Sequence, residues 1–311
     1  MEITEVDWKE YNSIFSKPYH VFNSAAFNHI NERKCEEVKF LVFKDTKYRV
    51  GFVAGVRNNQ LISPFSAPFG GFTFLKEDIQ IRQIEEAITL LEEYAKSNGL
   101  NAIKIFLPPL IYNESFLAKC INVLYRSSFQ TKDLDLDFYM NLDLVDDYLN
   151  NIWYNAKKNT KISLAQGFEF IQGSNDETFV SEVYEVIKEN RAFKGKPLNM
   201  SLEDILATSN VIPTDFFLVK QNNINVASAI VYHATDDIMY VPFWGDQPGH
   251  TLSKPMNFTA YQVFKHYQEL GKKYVHIGIS TESSVPNYGL CEFKESIGCT
   301  ITPKFTFFKE L

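Results

Sequence analysis

The chain runs through one order of elements twice, and that echo limits its possible folds more than any other feature. In the first half, residues 38–44 and 48–56 are apolar runs around an Asp45-Thr46-Lys47 turn, which predicts an antiparallel hairpin. Leu61-Ile62-Ser63 opens a third strand that leads into a Pro/Gly loop through Gly70-Gly71. Ile81, Ile84, Ala87, Ile88, Leu91 and Ala95 then recur at helical spacing until Asn98-Gly99 stops them. Residues 102–107 form a strand, residues 116–125 a shorter helix, and residues 133–138 an alternating strand. The second half repeats the series. Residues 216–220 and 224–233 pair around Asn222-Asn223, and residues 238–243 lead into a loop at 244–250. A helix carrying Met256, Ala260, Val263, Phe264, Tyr267 and Leu270 stops at Gly271; a strand at 275–277, a short helix and a last strand follow. This order predicts an α/β (α+β) protein of two similar modules, each a mixed, mostly antiparallel sheet flanked by helices. Modules of about 140 residues are of ordinary domain size. The charged, helical stretch at 144–167 places the boundary near residue 145, giving modules at 1–145 and 146–311.

Three blocks of the second half carry chemistry. The C-terminal block holds Gly278-Ile279-Ser280, Pro286-Asn287-Tyr288-Gly289-Leu290, Phe293-Lys294 and Ile297-Gly298. Read physically, it is a short apolar strand, a loop rich in hydroxyls, and a helix that Pro286 suits as a first residue and Gly298 ends. A second block is the basic run from Asn155 to Lys161, containing Lys157 and Lys158; a third is residues 190–198, with Arg191, Lys194 and Lys196 around Phe193. Loops that follow strand ends are where α/β proteins place ligands.

As a set, these blocks resemble the Fem family, the peptidoglycan-bridge aminoacyl transferases and their relatives built on the GNAT N-acyltransferase fold. The resemblance implies tandem GNAT-like modules with a substrate cleft between them. It implies transfer of an acyl or aminoacyl group to a primary amine, from a coenzyme A thioester or an aminoacyl-tRNA, onto a small-molecule or cell-wall precursor acceptor. Lys294 takes the catalytic place, its charge set against the negative charge that develops on a carbonyl oxygen. Arg191 and Lys194 are placed on an anionic substrate, with Trp244, Asn287, Tyr288 and Phe293 at the same mouth. Gln247, Gly249 and Ser253 fall where a cofactor would be held. The GNAT pyrophosphate signature, Arg/Gln-x-x-Gly-x-Gly/Ala, is missing from both Gly-containing loops. No sustained heptads mark a coiled-coil tRNA arm, which favours an acyl-CoA donor over tRNA.

The residues alone leave blander readings open. Lys294 pairs as easily with Glu292 or Glu295 on a solvated helix face, and the basic residues at 157, 158 and 161 suit an ordinary exposed face. His276, inside an apolar strand, is expected to be a satisfied buried histidine. Asp133, Asp135 and Asp137 alternate with apolar residues, so their carboxylates are expected in water. Cys291 lacks a legible His and Asn partner, and no metal-binding motif is present. A non-catalytic protein that keeps the fold to bind a nucleotide-sugar or cell-wall precursor is the alternative to an enzyme.

Composition narrows the partners. A net charge of −7 argues against a general nucleic-acid coat but allows a local tRNA contact. The four cysteines show no CxxC spacing, which suits reduced thiols, and the acidic N-terminus has no signal-peptide pattern, so a cytoplasmic location is expected. No apolar run approaches the roughly 18 residues of a membrane helix. Oligomeric state is not legible.

Overall fold

The computed structural model describes residues 1–311. It contains two compact units that are not consecutive halves of the chain. One comprises residues 1–136, 281–285 and 302–311; the other comprises 137–280 and 286–301. A single break near residue 145 therefore misses the return of the chain to the first unit. The physical reason is the last strand, whose residues 306–310 pair antiparallel with residues 102–106.

The first unit opens with strand β1 (Glu2–Val6), helices α1 (Trp8–Ile14) and α2 (Ala25–Ile30), and the hairpin β2 (Glu37–Lys44) and β3 (Tyr48–Arg57). Strands β4 (Gln60–Ser63) and β5 (Phe72–Phe74), helix α3 (Ile81–Ser97), strand β6 (Ala102–Phe106), helix α4 (Glu114–Arg126) and strand β7 (Gln130–Asn141) follow. Helix α2 starts from Ser24, whose hydroxyl accepts the Phe27 N–H. Asn58 and Asn59 both take positive φ (50° and 58°), the pair of left-handed residues a tight β3–β4 turn requires. In sheet order the unit runs β1-β2-β3-β4-β6 and then the last strand, with β5 beside β3. Only β4 and β6 pair in parallel, Gln60–Ser63 against Ala102–Ile105. Beyond Ser63 the chain folds back onto β6, where Gly70 N–H donates to the Phe106 carbonyl (2.8 Å). Gly71 N–H donates to Ser63 Oγ (3.0 Å), which itself donates to the Val53 carbonyl (2.6 Å). The end of this parallel pair is closed by backbone and packed with buried Phe65, Phe69 and Leu107.

The second unit takes the end of β7 and adds helices α5 (Tyr148–Asn151) and α6 (Tyr154–Leu164), strand β8 (Glu169–Gly173), helices α7 (Glu177–Phe193) and α8 (Leu202–Ser209), and strands β9 (Thr214–Gln221), β10 (Ile224–His233) and β11 (Ile238–Asp246). Helix α9 (Pro255–Glu269) and strand β12 (Tyr274–Ile279) come next. The short hairpin β13 (Thr281–Glu282) and β14 (Val285–Pro286) precedes helix α10 (Tyr288–Ser296) and strand β15 (Thr300–Glu310). Sheet order is β7-β12-β11-β10-β9-β8, again with a single parallel pair, β11 and β12. The predicted echo is therefore real: hairpin, third strand, helix, parallel strand, in both units. Two local expectations change, at Pro286 and at the β7 carboxylates. Pro286 sits in β14, and α10 starts from Asn287, whose Oδ1 accepts the Leu290 N–H (3.1 Å). Helix α7 continues through Arg191 to Phe193 before Gly195 turns away with φ 61°. The β7 carboxylates are not solvated: Asp135 and Asp137 are 7% and 1% exposed, because polar partners meet them inside. In the first unit Asp135 Oδ1 accepts Thr281 Oγ1–H (2.6 Å) and Ser284 N–H (3.2 Å).

His20 of the first unit is buried among Tyr19, Phe69 and Tyr112 rings, with neither ring nitrogen hydrogen-bonded. Burial drives its pKa down to about 3; the Gly70 backbone opposes this weakly without completing a hydrogen bond. The unfolded chain takes up this proton near pH 6.5 and the native chain does not, so stability falls as pH drops from about 6.5 towards 3. In urea denaturation at pH 7 and pH 5, wild type should lose about 2 kcal/mol more than His20→Phe between the two. Equal losses would show that His20 is not the acid-sensitive group.

Candidate functional site

In the second unit the parallel pair is short. Ile238, Met239 and Tyr240 lie opposite Tyr274, Val275 and His276, and there the pairing ends. Strand β11 continues beside β10, Phe243–Asp246 against Ala227–Ile230, while β12 continues beside β7, Gly278 and Ile279 opposite Phe138 and Asp137. The two strands part like a fork. The equivalent place in the first unit is closed by backbone; here it is lined by ionisable side chains.

The parting depends on a kink in β12. Gly278 takes φ 73°, the register with β7 shifts between His276 and Gly278, and three successive carbonyls lose their regular alternation. Lys294 collects all three. Its Nζ donates to the carbonyls of Ile277 (2.9 Å), Gly278 (2.7 Å) and Ile279 (3.0 Å) and lies 5.0 Å over the Phe138 ring. At 2% exposure it is not the solvated lysine that helix spacing allowed, and neither Glu292 nor Glu295 pairs with it. Burial pushes its pKa down to about 8, with Asp137 opposing.

Asp137 and His276 form the second element. Asp137 Oδ1 accepts the Phe138 N–H (2.8 Å) and lies 2.7 Å from His276 Nε2, both side chains being almost wholly buried. His276 is thus a satisfied buried histidine, as its strand setting suggested. Its ring faces Tyr240 across the last rung of the fork, with centroids 4.7 Å apart. Burial first and Asp137 second hold the Tyr240 phenol well above its ordinary range, so it stays protonated.

Arg191 completes the group from the last turn of α7. It is half-buried, and burial lowers its pKa, with Tyr240 opposing. No carboxylate or carbonyl meets its guanidinium, although burying an unpaired charge is costly.

The other expected site residues scatter. Lys194 is exposed, 3.9 Å from Asp246 Oδ1. Trp244 is half-buried on β11 opposite Ala229, Phe293 is half-buried in α10, and Tyr288 is 73% exposed. Asn287 serves as the α10 cap, and its N–H also donates to the Ser280 carbonyl (2.8 Å). Gln247 borders a groove of about 680 Å³ whose walls carry Glu177, Glu182, Glu185 and Glu189, the wrong sign of charge for a pyrophosphate. Gly249 takes φ 92°, and Ser253 Oγ donates to the His250 carbonyl (2.7 Å). No group of three or more His, Cys, Asp or Glu side chains is placed to hold a metal ion, and no helix is long and apolar enough to cross a membrane. Sequence reasoning missed Asp137, Tyr240 and the φ of Gly278. Only the glycine left a signal, in the Gly-Ile-Ser turn.

Two units with one element order, each built around a single parallel strand pair, define a tandem GNAT fold. This is the Fem-like form of that fold. FemX superposes over 100% of this chain and 98% of its own, with a TM-score of 0.73 and 13% sequence identity. The C-terminal domain of a protein named as a lysylphosphatidylglycerol synthetase, from Agrobacterium fabrum, covers 98% of this chain and 92% of its own (TM-score 0.65, 11% identity). A tandem GNAT protein from the clavulanic acid biosynthesis pathway covers 99% and 98% (TM-score 0.56, 8% identity). At these identities the likeness is one of fold. No family model matches the chain, and no curated protein does.

Lys294→Met would leave three buried carbonyls without a donor and should cost about 3 kcal/mol in urea denaturation. Because the folded-state pKa is lowered, the unfolded chain binds the extra proton between pH 8 and 10.5, and native stability rises with pH across that window. The variant should lose that rise; a variant as stable as wild type at pH 7 would contradict the clasp. Gly278→Ala has room for its methyl, 3.7 Å from Tyr240, but not for its φ, and should cost about 1–2 kcal/mol.

Proposed function

We propose that this protein is an acyltransferase that moves an activated acyl or aminoacyl group onto a primary amine. The observation that carries the reading is Arg191: a half-buried guanidinium in the last turn of α7 with no carboxylate or carbonyl partner, in a chain whose whole length follows the FemX fold. A cation held without a partner suits an anionic donor or the oxyanion of acyl transfer. The neighbour named as a lysylphosphatidylglycerol synthetase supports an aminoacyl donor, and the tandem GNAT neighbour supports an acyl-CoA thioester.

In the reaction the amine nitrogen bonds to the acyl carbon, the carbon–oxygen or carbon–sulfur bond breaks, and an amine proton ends on the leaving oxygen or sulfur. Arg191 positions the anionic group, and the Tyr240 phenol remains a donor throughout the working pH range. Lys294 acts from behind the strand, adding positive potential while it fixes β12. Its charge is present below about pH 8 and is lost above it, so turnover should fall as pH rises through about 8.

A non-catalytic binding protein is the second reading. The observation favouring it is that all three Lys294 protons are already spent on backbone. Mixed aminoacyl-tRNA and acetyl-CoA, each offered with amine acceptors that include a nucleotide-linked muropeptide, separate the two when products are read by mass spectrometry. Amide formation with one donor, reduced about 100-fold in kcat/KM by Arg191→Gln, is expected. Acceptor binding by calorimetry with no product from either donor would favour the binding protein. Product formation indifferent to Arg191→Gln would remove the assigned site.

A further inference from the structure

The basic run of α6 plays no part at the fork, and two of its lysines face a pocket of their own. Lys157 and Lys161, one turn apart on the helix, line a pocket of about 380 Å³ together with Asp146 and Asp147, which lie in the turn leading into α5. The lining therefore carries two charges of each sign. No ion pair closes between them. The Asn150 amide joins one pair as a neutral spacer: its Nδ2 donates to Asp147 Oδ1 (2.7 Å) and its Oδ1 accepts from Lys157 Nζ (2.8 Å). The other pair stays open. Asp146 Oδ1 accepts from Gln268 Nε2 (2.5 Å), but its Oδ2 has no partner, and neither has Lys161. Tyr148 and Tyr261 add an aromatic surface, their ring centroids 5.1 Å apart. Tyr148 is 2% exposed, and its hydroxyl also lacks a hydrogen-bond partner.

We propose that this pocket binds a zwitterionic α-amino acid with an apolar or aromatic side chain, its carboxylate on Lys161, its ammonium on Asp146 and its side chain against the two tyrosine rings. A ligand with both charges does for the open pair what the Asn150 amide does for the other: acceptor towards the lysine, donor towards the aspartate. A simple anion or a simple amine is drawn by one pair of charges and opposed by the other, because the lining has no net charge to offer it. Contacts between exposed charges are weak by themselves, and the rings supply the apolar area that adds to them. The volume falls within the range of small-molecule pockets, about 300–1,000 Å³. None of these residues belongs to the fork, so the inference is independent of the acyltransferase reading.

L-Phenylalanine is the probe, with phenethylamine and hydrocinnamate as analogues that keep one charge each. All three are titrated against the full chain at pH 7 and low salt, and binding is read from the line widths of the ligand protons in NMR. Wild type should bind phenylalanine about fivefold more tightly than either analogue. Lys161→Met should remove the advantage over phenethylamine. Asp146→Asn, whose Oδ1 can still accept from Gln268, should remove the advantage over hydrocinnamate. Both positions are exposed, so both variants should fold. The inference is overturned if wild type does not bind phenylalanine at about 10 mM. It is equally overturned if an analogue binds wild type as tightly as phenylalanine does, or if the preference survives either substitution.

Discussion

One ammonium group organises the second unit. A strand that bends through a left-handed glycine exposes carbonyls that its neighbours in the sheet cannot reach, and buried carbonyls without donors are expensive. Lys294 supplies three donors from one atom, which no neutral side chain can do. With that clasp in place β12 can leave β11 after His276, and the throat between Tyr240 and His276 exists. The same lysine that would be sought first as a chemical participant is, in its geometry, the support on which the site stands.

The two units show what becomes of one topology when the end of its parallel pair is closed or left apart. In the first, Ser63 and Gly70 tie the backbone shut, and Phe65, Phe69 and Leu107 occupy the interior. His20 there is buried among aromatic rings and held neutral. In the second, the corresponding residues are Arg191, Tyr240, His276 and Asp137, fixed by hydrogen bonds and by strand register. Ionisable side chains line one copy and apolar packing fills the other.

Much of this was legible in the sequence, because it depends on local pattern. The hairpins, the helix from Ile81 and its echo from Pro255, and the Gly99 and Gly271 stops follow from periodicity and turn chemistry that act within a few residues. Lys294 and Arg191 were visible as members of motifs. What escaped depends on long-range partners. Strict alternation assigned Asp135 and Asp137 to water, yet Thr281, Ser284 and His276, nearly 140 residues or more along the chain, draw them inside. Tyr240 looked like any strand aromatic, since its importance comes only from standing opposite His276. Gln247 had the right place in the order of elements, but the carboxylates of α7 that surround it are invisible to a reading of its own loop.

Strand β15 has a consequence for biogenesis. Its residues 302–310 belong to the unit that the first residues of the chain begin, and they supply the strand that closes β6. During synthesis the leading portion must therefore wait, with one edge of its sheet open, until residues 302–310 have emerged. An exposed strand edge invites pairing with other chains. The order of manufacture thus runs against the order of folding, and nascent chains halted before residue 302 would be the species most prone to stick to one another.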